Sequence, residues 1–165
     1  MSTLSKIFRS TVKGSGGLRK LYAGRISDFT YTASGNTITG ITMTAGKKFV
    51  EIQFEPQSSN IDLADKSTLR DNAFEVTGKF AIKGVDIVKH AALAALAEET
   101  IALIYQDQAG NYWFACDPDF GCSIGIGLKT GAKPSDENGY ELSIKGYELP
   151  RLNYMVDSSV IATIV

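Results

Sequence analysis

The residues able to do chemistry are few and scattered. His90 is the only histidine, and a lone histidine on a helix is more often structural or exposed than catalytic. Cys116 and Cys122 flank Asp-Pro-Asp-Phe-Gly; with one histidine, a closed zinc site would need carboxylates to complete it, and no ligand spacing supports that. The two cysteines can bridge if their strands face each other; otherwise they are two half-buried thiols, which is the default for a chain from a reducing compartment. Asp117, Asp119, Asp136 and Glu137 supply carboxylates, but Asp117-Pro-Asp119 lacks an EF-hand's ligand run and closing glutamate, so these read as turn residues. Gly121, Gly125 and Gly127 precede no Gly-Lys-Ser/Thr and lie inside a strand-like run, which excludes a P-loop and a dinucleotide fingerprint. No serine or cysteine sits in a nucleophile elbow. Catalytic, cofactor-binding and metal-binding roles are therefore assigned to no residue, and an enzyme is the less expected class.

The elements that would position any site are mostly strands. The exception is Gly84–Cys116, around which the rest is organised. Val85, Val88, Ala92 and Ala95/Leu96 recur at three- and four-residue spacing, Ala91–Ala97 is rich in the strongest helix formers, and Asp86 meets the positive end of the helix dipole. Such a helix should lie across a sheet and cover its apolar face. Ile101–Tyr105, the turn Asp107–Asn111 and Tyr112–Cys116 then read as a hairpin. Earlier, strands are expected over Leu18–Ala23, Ile26–Thr32 and Thr37–Met43. Phe49–Glu55 should alternate with Val50, Ile52 and Phe54 on one face. Ala73–Lys83 alternates most clearly, with Phe74, Val76, Phe80 and Ile82 on its apolar side. Cys122–Leu128 and Tyr140–Lys145 alternate too, and Leu152–Val156 and Val160–Val165 read as closing β segments. The expected fold is mainly β, a β-rich α+β domain over 18–165: two packed antiparallel sheets, as a sandwich or barrel, with one flanking helix near 84–99.

Two segments reach outward. Pro56–Asn72 is the longest polar stretch and holds Ile61, Leu63 and Leu69 with no evident core to enter. It is either a surface loop with a few anchors or a protruding arm ordered by a partner. Residues 1–17 form the other, an expected extended arm. Through Ser27 there are six basic residues (Lys6, Arg9, Lys13, Arg19, Lys20, Arg25) and no acidic one; the remainder holds 17 − 6 = 11 basic and 18 acidic residues, a net of −7. From charge alone a solvated terminus is the simpler reading, but a basic arm on an acidic body is also self-complementary when copies stack. Lys6, Arg9, Lys13, Ile61, Leu63 and Leu69 are the candidate subunit-interface residues. No apolar run approaches the roughly 20 residues of a membrane helix, and no Sec-type signal core is present, so neither membrane insertion nor export is expected.

The order of these elements, with Asp107–Tyr112, the glycine-rich strand Gly121–Leu128, Thr130-Gly131 and Ser135–Gly146 (SDENGYELSIKG), resembles tail-tube-like structural proteins of tailed bacteriophages. The nearest likeness is to virion proteins of phages infecting Bacteroidota, including the ring proteins of crAss-like phage tails. The likeness covers the second half of the chain by motif and the first half by element order only. It implies two packed sheets flanked by one helix, a homo-oligomeric ring of six or twelve copies, neighbouring tail or neck proteins as partners, and a channel that passes DNA without sequence recognition. It places the protein in the virion after assembly in the host cytoplasm, and gives the arm and the long loop the task of reaching adjacent subunits. The rival reading is a small-ligand or carbohydrate-binding β-sandwich, with Trp113 and tyrosines lining a concave pocket.

Overall fold

The computed structural model describes residues 16–55, 58–65, 74–116, 121–148 and 154–165. Within them the order is β1 (Leu18–Arg25), β2 (Phe29–Ser34), β3 (Thr37–Met43), β4 (Val50–Glu51), β5 (Asn60–Asp65), β6 (Phe74–Lys83), α1 (Ile87–Ala97), β7 (Ile101–Asp107), β8 (Tyr112–Ala115), β9 (Cys122–Lys129), β10 (Gly139–Glu148), β11 (Tyr154–Val156) and α2 (Ser158–Ile164). The protein is mainly β, as expected, a β-rich α+β fold.

The strands join in one branched sheet rather than two separate antiparallel ones. β7 is the fork. Along one side it pairs antiparallel with the whole of β1; along the other, Leu103–Gln106 pairs with β8 while Ile101 meets Cys122 of β9. One limb continues β9-β10-β6-β5, the other β8-β11-β3-β2, and the β11–β3 pairing is parallel, so the sheet is mixed. The segment 50–55 ties the first limb back to the start. Val50–Glu51 pairs with β1, the Ile52 amide donates to Leu21 O at 2.8 Å, and the Glu55 amide donates to Ala81 O of β6 at 2.8 Å. The strands β1, β7, β9, β10 and β6 with this bridging segment thus surround a common interior, which accounts for the barrel alternative.

Two cores lie on opposite faces of β1 and β7, because side chains alternate along a strand. Leu21, Ala23, Ile101 and Leu103 enter the barrel with Val76, Phe80, Ile124, Leu142 and Ile144. Tyr22, Ala102 and Ile104 face the other way, onto Phe29, Ile38, Phe114 and the second helix. A strand buried on both faces reads as a continuous apolar run, which is why Ile101–Ile104 shows no alternation.

Several expectations are corrected. Val160–Val165 is not a strand: α2 covers Ser158–Ile164, its Asp157 N-cap accepting the Ser159 amide at 2.9 Å. Burial of Val160, Ile161 and Ile164 against the second core outweighs the β preference of these branched residues. Phe49–Glu55 alternates as expected only from Glu51 to Phe54, where Ile52 and Phe54 turn into the barrel core and Glu51 and Gln53 are exposed; Val50 does not share their face. Phe49 is buried and Val50 exposed, because the segment enters the second core at Phe49 and the barrel at Ile52. The long polar stretch contains a strand, β5, paired antiparallel with β6 from Asn60↔Lys79 to Asp65↔Phe74. Cys116 and Cys122 form a disulfide rather than two thiols, with Cα atoms 5.6 Å apart and both residues buried. The reason is the fork: β8 ends and β9 begins side by side against the start of β7.

Candidate assembly surfaces

The first surface is the margin of the sheet. Among the described residues β5 and β2 each pair on one side only, and they lie at opposite ends of the strand order. Among the described residues neither has a partner on its outer side, and an unpaired strand edge offers the backbone N–H and C=O groups by which one chain adds to another. On β5, Ile61 and Leu63 are half-buried and pack against the barrel core, Ile61 lying across Gly78. They anchor the edge and do not project from it, so the expectation that they lack a core is corrected. Lys6, Arg9, Lys13 and Leu69, like most of the expected arm, lie outside the described residues.

The second surface is α1, which does not do what its pattern suggests. Asp86 is the N-cap, its carboxylate accepting the Val88 amide at 3.1 Å. Only Leu93 is buried in the barrel core, with Leu96 and Ala97 half-buried beside it. Most of the stripe expected to cover the sheet points to solvent instead: Val85 is 46% exposed and Val88 71%, Ala92 and Ala95 are exposed, and only Leu96 packs against the core; Ile87, next to the stripe, is 80% exposed. Sequence periodicity finds an apolar face but not its direction, and an alanine-rich helix offers little to distinguish its sides.

Beside α1 runs a groove of about 490 Å³ between Ala92, Leu93, Ala95 and Leu96 of the helix and the segment Val50–Gln53. Its floor is apolar and Lys47, Lys48 and Lys89 stand at its margins. Lys48 Nζ donates to Val165 O at 2.8 Å and Lys89 Nζ to Lys83 O at 3.1 Å, so both are tied to backbone. A second hollow of about 460 Å³, over the ends of β6 and β10, is lined by Lys79, Lys83 and Lys129 together with Glu55, Glu137 and Glu141. Its charges pair internally, Lys83 with Glu55 and Lys129 with Glu141. Hydrogen bonding and attraction to Lys129 hold the Glu141 carboxyl below its ordinary value.

The residues singled out for chemistry have structural partners. His90 is exposed and its Nδ1 lies 3.4 Å from the hydroxyl of buried Tyr140. Trp113 is half-buried, and its Nε1 donates to Asp107 Oδ2 at 2.8 Å. Asp107 also accepts the Asn111 amide at 2.9 Å and so closes the β7–β8 hairpin. Partial burial would raise its pKa, but the hydrogen bonds from Trp113 and Asn111 outweigh that and lower it. Asp136 accepts the Ala132 and Lys133 amides at 2.8 and 2.9 Å, the turn role read from sequence; Asp117 and Asp119 lie outside the described residues. Among the described residues no three His, Cys, Asp or Glu side chains converge to hold a metal, and no helix is long and apolar enough to cross a membrane.

Comparisons with known protein families, curated proteins and solved structures find no match to this chain.

Proposed function

We propose that this protein is a structural subunit of a bacteriophage virion, one of six or twelve copies in a ring or tube of the tail or neck whose channel passes DNA. The observation that carries the reading is that, among the described residues, β2 and β5 stand at opposite ends of the sheet's main strand order and each pairs on one side only, as does the two-residue β4 on its branch. Two different edges meeting head to tail make a heterologous contact, and a heterologous contact that closes makes a ring. Ring closure would also remove edges that otherwise invite uncontrolled pairing. The buried disulfide and two-faced core suit a rigid building block. Passage of DNA requires a wall that does not neutralise phosphates. The outer face of the β9-β10-β6-β5 limb suits that role, since Lys129–Glu141 and Lys145–Glu75 pair on it.

The test is the assembly state of the full chain, alone and co-produced with the products of adjacent genes, by native mass measurement and negative-stain imaging. Closed rings support the reading. A monomer at high concentration in both preparations rejects it. A second reading, a small-ligand-binding protein, draws on the apolar groove beside α1; a rise in melting temperature with an apolar ligand, abolished by Ala92→Trp, would favour it.

A further inference from the structure

The outward side of α1 has the wrong polarity for a helix facing water. Residues 87, 88, 91, 94 and 95 share one face at helical spacing: Ile87, Val88 and three alanines, all exposed. The polar residues within the helix are turned away from it. Lys89 is held by the Lys83 carbonyl and His90 lies against Tyr140. A solvent-exposed helix ordinarily carries its charges on this side.

We infer that this face is a contact between two copies of the chain, with α1 packed antiparallel on α1 of the partner about a two-fold axis. Self-complementarity argues for this occupant. The bulky residues, Ile87 and Val88, lie in the first turn, and the last two turns of the face hold only alanine. Parallel pairing would set bulk on bulk and leave a gap between the alanines. Antiparallel pairing seats Ile87 of each copy on Ala95 of the other and Val88 on Ala94, with Ala91 near the axis, so knobs meet hollows at both ends. Alanine allows the axes to approach to about 8 Å. Exposed Glu98 comes to lie over the other helix's N-terminus near Gly84, where the positive end of the macrodipole and Lys89 Nζ, held at the Lys83 carbonyl, attract it and the Asp86 cap opposes it.

The size of the face sets the strength. A helix of 11 residues is about 16 Å long, so this contact buries less than the roughly 800 Å² per partner of a standard stable complex. The pair therefore belongs with the small, weak and transient contacts. It is independent of edge-to-edge ring closure, which uses other elements.

The test is sedimentation equilibrium of the full chain with charge-swap variants. Wild type should show a monomer–dimer step. Ile87→Lys and Ala95→Glu should each weaken it at least tenfold without lowering the melting temperature, since both positions are exposed. The double variant Ile87→Lys/Ala95→Glu should recover most of the loss, because the two-fold sets each lysine opposite the partner's glutamate. Ala91→Cys should form a symmetric cross-linked dimer on mild oxidation. Wild type lacking any association that depends on α1 overturns the inference, as do single variants that associate like wild type or a double variant no better than the singles. Rings that form normally while the charge swap has no effect would reject the helix pair and leave the ring reading standing.

Discussion

Removing the Cys116–Cys122 bridge tests whether the forked sheet is stapled at its branch point. The bridge closes a loop with a sequence separation of 6, and it joins the end of β8 to the start of β9 where both abut β7. Loop-closure entropy for so short a loop amounts to about 2 kcal/mol at room temperature. For a chain of this size that corresponds to roughly 4–9 °C in melting temperature. The assay is thermal and urea unfolding of wild type, of wild type unfolded and refolded with reductant, and of Cys116→Ala/Cys122→Ala. Both residues are buried, so reductant should act only after unfolding and native protein should resist it over short times. Reduced wild type isolates the cross-link; the double alanine variant adds the loss of two packed sulfurs and should be less stable still, by about a further 1–2 kcal/mol. Free thiols titrating in freshly purified, non-reduced native protein, or a reduced form as stable as the oxidised one, would refute the reasoning.

Three other outcomes follow from the same packing. Asp107→Ala should destabilise by about 1–3 kcal/mol, because it leaves the Trp113 and Asn111 N–H groups without their acceptor. Its lowered pKa fixes the sign of the pH effect: the unfolded chain binds the proton more readily, so Asp107's contribution is present above its ordinary value near 3.8 and lost as pH falls through the lower folded value. Acid titration of wild-type stability should show this loss and the alanine variant should lack it. Asp157→Ala removes the N-cap of α2 and should cost about 1 kcal/mol in urea unfolding, while Asp157→Ser, another good cap, should recover most of it. Gly24→Ala should cost about 1–3 kcal/mol, since its methyl carbon would come within 2.8 Å of the ring of Phe49, which is itself buried against Phe29; Phe49→Leu in the same chain should relieve part of that cost.

Local pattern alone determined where most strands and α1 lie. Alternation marked Phe74–Lys83 and Tyr140–Lys145, and Asp107–Asn111 announced its hairpin, because a side-chain period and a turn need only near neighbours. Neighbours distant in sequence decided the rest. Asn60–Asp65 looked like polar loop because an edge strand bears one half-buried apolar row and its pairing partner lies on β6. Ser158–Ile164 carries β-branched residues, yet it is helical because an N-cap and a waiting apolar surface reward that shape. The disulfide depended on β8 and β9 meeting at β7, which spacing could not announce. So did the outward turn of α1: periodicity shows that a helix has an apolar side, but only the packing of Leu93 into the barrel settles that Ile87 and Val88 face away from it.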